Sequence, residues 1–232
     1  MTLTIYNAED IPQGSDEWLE ARAGILTAST IGQLITAKTI KPAMNDRSRG
    51  LCQTLIAERI TGHVAPVFPN RAMTRGTLLE PEARRIYAEQ TGQDVDEVGF
   101  ARLDTDTYTL GSSPDGLVGE TGGIEIKSPS AKVHVSTVLA GSIPDYNRAQ
   151  VQAFLHVTGR EWCDFISYLP GEPLCVIRDF PDPRWQAAIV SAAEQFEETA
   201  IAAMARYERN THGLPATEWW DPFDEEEEVI YG

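Results

Sequence analysis

The chain has 232 residues, with 19 Lys and Arg against 35 Asp and Glu, for a formal charge of −16. That balance excludes a general nucleic-acid coating protein, which needs a basic excess, and confines any contact with DNA to a locally basic cleft. No apolar run has membrane-spanning length and the start MTLTIYNAED lacks the order of a secretory signal, so a soluble, cytoplasmic protein is expected, with no membrane partner.

Near the N-terminus, Gly14-Ser15-Asp16-Glu17-Trp18 reads as a helix start, capped by Ser15 and running to Arg22 and a stop at Gly24. Residues 25–31 place small hydroxyls before a second short helix, with Ser29 as its cap. Ser29 and Arg22 can together receive a phosphate there. Alternatively Arg22 pairs with a neighbouring acid and Ser29 is simply a cap. Lys38 to Arg49 is the most basic stretch, either a mobile DNA-contacting loop or a solvated connection to a helix over 51–60 that stops at Gly62. A helical pattern over 75–87 ends near Gly92, and Pro81 predicts a kink or restart within it. Glu80 beside that irregularity is a candidate carboxylate, although a lone helical Glu usually faces solvent.

Strands at 98–101 and 108–110 lead into LGSSPDGLVGETGGIEIKSP, residues 110–129. Alternation puts Ile124 and Ile126 on one face and Glu125 and Lys127 on the other. The glycine-rich 119–123 segment predicts a hairpin, and pairing of Val118 with Gly122 sets Asp115 opposite Glu125. Two carboxylates and a lysine so placed suit metal-dependent hydrolysis of a phosphate diester, with Mg²⁺ or Mn²⁺ held by hard oxygen donors. The Glu-x-Lys skeleton alone is weak: 21 Glu and four Lys give about 0.4 matches by chance, and an exposed hairpin with a surface ion pair is the bland alternative.

Beyond the hairpin, 130–140 is weakly helical and 146–157 is a stronger helix carrying Gln150 and Gln152, either of which is an ordinary polar residue or a ligand for phosphate or water. Two strands, 162–169 and 174–180, precede the longest helix, which starts near Pro183. Its stripe from Trp185 to Tyr207 is a core or oligomer face. Four dispersed histidines carry no ligand spacing, and Cys52, Cys163 and Cys175 read as reduced core thiols. One domain over 1–215 is expected, followed by an acidic tail over 216–232 that holds seven acids and no Lys or Arg.

The segments GSDEWLEARAGILTAST, RGTLLEPEA, SSPDGLVG, GIEIKSP and NRAQVQAFLHVTG occur in an order that resembles the lambda exonuclease and YqaJ-type viral recombinase family. The resemblance implies an α/β (α+β) fold with a restriction-endonuclease-like core: a central mixed sheet flanked by helices, the active hairpin at its edge. It implies that Asp115, Glu125, the Ile126 carbonyl and Glu80 hold two metal ions, Mg²⁺ or a substituting Mn²⁺. Lys127 then positions or activates water, and a glutamine, Gln152 or Gln150 with Gln152 slightly favoured, assists. Arg22, Ser29 and Ser113 match a pocket for a 5′-terminal phosphate. The implied activity is 5′–3′ digestion of linear double-stranded DNA by a homotrimer in a bacterial or phage-infected cell, with a single-strand annealing protein as partner. A nicking or structure-specific endonuclease, or a catalytically idle DNA-binding protein, is the alternative on the same fold.

Overall fold

A computed structural model describes residues 1–64, 70–218 and 220. The N-terminal elements are β1 (Thr2–Asn7), α1 (Asp16–Arg22), β2 (Leu26–Thr27), α2 (Ala28–Ile31), β3 (Ile35–Thr36), β4 (Lys41–Pro42) and α3 (Asp46–Thr61). Next come α4 (Arg71–Thr91), β5 (Val95–Asp96), β6 (Val98–Asp104), β7 (Thr109–Ser112), β8 (Gly116–Val118) and β9 (Gly122–Lys127). The chain continues through α5 (Ala131–Ala140), α6 (Asp145–Thr158), β10 (Trp162–Ser167), β11 (Cys175–Asp179) and α7 (Pro183–Thr211).

The main sheet is mixed and five-stranded in the order β11-β10-β9-β8-β5, with β9 parallel to β10 and antiparallel to β8. The hairpin β8–β9 therefore lies inside the sheet, not at its edge as expected, and β9 is the middle strand. A second sheet has the order β1-β6-β7-β2. Its edge strand β1 was not anticipated, because residues 2–7 alternate Leu3 and Ile5 with polar residues too briefly to stand out, and both apolar side chains remain exposed.

The buried apolar residues form three clusters. Helix α6 serves two of them: Ala149, Ala153 and Val157 pack with the second sheet, α2 and α7, while Val151, Phe154 and Leu155 pack on the main sheet. A helix enclosed in this way has little solvent-facing surface, so its polar residues must find protein partners. The opposite face of the main sheet covers Ala83 and Tyr87 of α4 through Ile124, Ile126 and Ile166. Helix α4 runs continuously through Pro81 and ends where Gly92 adopts φ 66°. Phe154 packs directly on Gly123, where a Cβ would lie 2.2 Å from the ring, so β9 needs a glycine two residues before Glu125.

Among the described residues no helix is long and apolar enough to cross a membrane. Most of the acidic tail, residue 219 and residues 221–232, lies outside the described residues.

Candidate active site

The β8–β9 ladder pairs Val118 with Gly122 and Gly116 with Ile124, the register that puts Asp115 beside Glu125. Asp115 Oδ2 accepts a hydrogen bond from the Ile126 N–H at 2.5 Å, which ties the carboxylate to the middle strand. Glu125 is 2% exposed, and the Lys127 ammonium makes an ion pair with its Oε1. That contact lacks the alignment of a hydrogen bond, leaving a buried carboxylate oxygen without a hydrogen-bond partner among the described residues. Glu80 reaches the same place from α4, held at 2.7 Å by Arg84, whose Nε also donates to the Asp115 carbonyl at 2.8 Å. The i,i+4 spacing of Glu80 and Arg84 was visible in the sequence; the reach of Arg84 to Asp115 was not. A cleft of about 460 Å³ opens over Glu80, Asp115, Ile126 and Lys127, with Arg75 and Asn147 on its walls.

Enclosing so many acids raises their affinity for protons. Burial, aided by Asp115, pushes Glu80 up to about 7 against the pull of Arg84 and Lys127. Glu125 is pushed up to about 8, again chiefly by burial, with Lys127 opposing and Asp115 and Glu80 adding. Burial likewise raises Asp115. For Lys127 burial disfavours the charge, but Glu125 and Asp115 outweigh it and hold the ammonium above its ordinary value. The donor set is oxygen only. Oxygen donors are those a hard cation takes, but among the described residues no three Asp, Glu, His or Cys side chains are placed to hold an ion.

Arg22 and Ser113, two of the three residues expected to form a phosphate pocket, converge through a different ladder. Strands β2 and β7 are parallel, pairing Leu26 with Leu110 and Thr27 with Gly111, so the chain segments leaving both strands emerge at one end of the sheet. Arg22 Nη1 and Trp18 Nε1 each donate to Ser113 Oγ at 2.9 Å, and the Arg22 guanidinium stacks 3.9 Å from the Trp18 ring centroid. Burial pushes Arg22 down to about 10, with Glu58 opposing. Ser29 does not cap α2: Thr27 occupies that position, bonded through its N–H and hydroxyl to the Thr30 hydroxyl. Ser29 is exposed, 3.2 Å from Thr27 Oγ1. Trp18 was missed as a pocket residue because its apolar character suggested only packing.

Gln152 is not with the carboxylates. It is fully buried in α6, where Nε2 donates to Asp179 Oδ2 at 2.9 Å and to the Phe180 carbonyl at 2.8 Å, and Oε1 accepts from the Asp182 N–H at 2.8 Å. The two-sided burial of α6 explains this, and the side-chain amides that line the cleft are those of Asn70 and Asn147. Gln150 is partly exposed and does not line the cleft. The basic stretch is only partly a loop: Lys38 lies in the turn between β3 and β4 and Lys41 in β4, while Arg47 and Arg49 occupy the first turn of α3, which starts five residues earlier than expected.

Comparison with known proteins follows the same geometry. Two crystal structures of LHK-Exo, an alkaline exonuclease from Laribacter hongkongensis, one of them in complex with dAMP, are similar to this chain. Each shares 35% identity over 87% of this chain and 100% of that one, with a TM-score of 0.76. A phage-related exonuclease from Haemophilus somnus shares the fold, at 14% identity over 78% of this chain and 96% of that one and a TM-score of 0.54. An uncharacterised protein of Acanthamoeba polyphaga mimivirus is 28% identical over 167 residues; the match takes in 66% of this chain but only 28% of the viral protein's length. The family model of the YqaJ-like viral recombinase domain matches residues 17–161, the span that carries Arg22, Glu80, Ser113 and the Asp115, Glu125 and Lys127 hairpin, and the chain belongs to that family.

Proposed function

We propose that the protein is a Mg²⁺-dependent exonuclease, with Mn²⁺ able to substitute, that digests linear double-stranded DNA from its 5′ ends and leaves 3′ single strands for recombination by annealing. The observation that carries this reading is the gathering of Glu80 and Asp115 at one cleft with Lys127, whose ammonium pairs with the buried Glu125 carboxylate. The 35% identity to an alkaline exonuclease supports nuclease chemistry.

In this reading Asp115, Glu125 and the Ile126 carbonyl hold one ion, and Glu80 helps to hold a second. Such ions, when bound, offset charge on the phosphate and lower the pKa of water. Lys127 orients the water for attack in line with the leaving oxygen. Arg22 and Ser113, with Ser29 at the rim, hold the 5′-terminal phosphate and so fix which phosphodiester reaches the carboxylates. A homotrimer encircling the duplex and a single-strand annealing protein that takes the 3′ strand belong to the same proposal. A ring with a locally basic channel reconciles DNA binding with the charge of −16.

The test compares 5′-phosphorylated linear duplex with closed circular duplex, in Mg²⁺ and in EDTA. Mononucleotide release from the linear substrate alone, abolished by EDTA, is expected. Cleavage of the circle establishes the endonuclease alternative, and no cleavage of either leaves a DNA-binding protein. Arg22→Ala is expected to lower the preference for a 5′-phosphate over a 5′-hydroxyl end at least about 10-fold, the scale of a lost charge-assisted contact.

A further inference from the structure

The chain turns sharply directly after Arg22. The Ile25 N–H donates to the Arg22 carbonyl at 3.0 Å, Ala23 has φ −53° and ψ 123°, and Gly24 has φ +64°. These are the dihedrals of a type II turn, which calls for glycine at its third position. Both polar groups of Gly24 are gripped by adjacent residues of α3: its N–H donates to Glu58 Oε2 at 2.8 Å and its carbonyl accepts from Arg59 Nε at 2.7 Å. A Cβ on Gly24 would lie 2.3 Å from Arg59 Cγ. Arg59 is in turn immobilised by a two-pronged ion pair with Glu197 of α7 at 2.6 and 2.7 Å, and its guanidinium lies 4.9 Å from the Phe196 ring centroid.

We propose that Glu58 is a positioning residue for Arg22, setting through the Gly24 turn the direction and strength with which the guanidinium meets a terminal phosphate. Two effects of Glu58 oppose each other. Its oxygen fixes the turn and so aims Arg22 at Ser113. Its negative charge faces Arg22 and competes with an incoming phosphate. Arg59, braced by Glu197, holds the carbonyl of the same glycine, so the arrangement reaches from the pocket to α7. The inference rests on Arg22 being the phosphate-binding group.

The two effects separate by mutation. Glu58→Gln keeps an oxygen for the Gly24 N–H and removes the charge; Glu58→Ala removes both. The readout is the ratio of kcat/KM on linear duplex with a 5′-phosphate to that with a 5′-hydroxyl, for wild type, both variants and Arg22→Ala, with melting temperatures as a folding control. Glu58→Gln is expected to raise the ratio about 3-fold or more, because less negative charge opposes the phosphate. Glu58→Ala is expected to lower it toward that of Arg22→Ala. If Arg22→Ala lowers the ratio while the two Glu58 variants move it together or leave it unchanged, the positioning role is overturned and the pocket stands. If Arg22→Ala leaves the ratio unchanged, the pocket assignment falls and takes the positioning role with it.

Discussion

Lys127→Ala is expected to lower kcat on linear duplex about 10³-fold while KM stays within a few-fold, the pattern of a group whose contribution is made in the transition state. The ammonium sits against the Glu125 carboxylate on the same face of β9 and beside the cleft, where it can touch an attacking water but few parts of a long duplex. Lys127→Arg is not expected to restore activity. A planar guanidinium needs more width than the ammonium takes between Glu125 and the cleft wall, and its donors point along fixed directions. Single-turnover cleavage measured beside equilibrium DNA binding separates the two quantities. A Lys127→Ala enzyme with more than a tenth of wild-type kcat would move the chemistry away from this hairpin.

The second large effect concerns pH in the absence of divalent ions. Glu125 titrates near 8 and Glu80 near 7 in the folded protein, against ordinary carboxylate values when unfolded. Raised carboxylates contribute stability that is present below the unfolded pKa and lost as pH rises through the folded one. Lys127 is charged in both folded and unfolded states between pH 6 and 9 and adds no slope there. In EDTA the protein is therefore expected to melt roughly 5–10 °C lower at pH 9 than at pH 6. Millimolar Mg²⁺ is expected to raise the melting temperature more at pH 9, where no proton must be displaced from the carboxylates. Equal melting temperatures at the two pH values in EDTA would contradict the placement of these carboxylates in a dry, crowded cluster.

The parts of the fold that were legible in the sequence share a local cause. The Ser15 cap, the Gly62 and Gly92 stops and the Glu125/Lys127 alternation each depend on residues within one or two turns of each other, and the structure has all of them. The Val118–Gly122 register was legible because glycines restrict where the hairpin can reverse. What failed depends on neighbours distant in sequence. Gln152 looked available because periodicity places it on the flank of a helix, but α6 is covered from two sides and that flank faces Asp179 and Asp182. The central position of β9 was hidden because its parallel neighbour β10 is supplied by residues almost forty positions later. Arg22 and Trp18, four residues apart on α1, share one segment, whereas Ser113 as their contact required the parallel pairing of β2 with β7.

That central position has a consequence for the timing of activity during synthesis. The segment carrying Glu125 and Lys127 leaves the ribosome well before residues 162–167, yet it is flanked on one side by the strand those residues form. Until they emerge, β9 has an open edge on that side and nothing of Phe165 or Ser167 beside the carboxylate and the lysine. The helix that covers its catalytic face, with Phe154 over Gly123, also comes later in the chain than β9. A nascent chain is thus expected to remain unable to cut DNA until residues 162–167 have emerged and paired with β9.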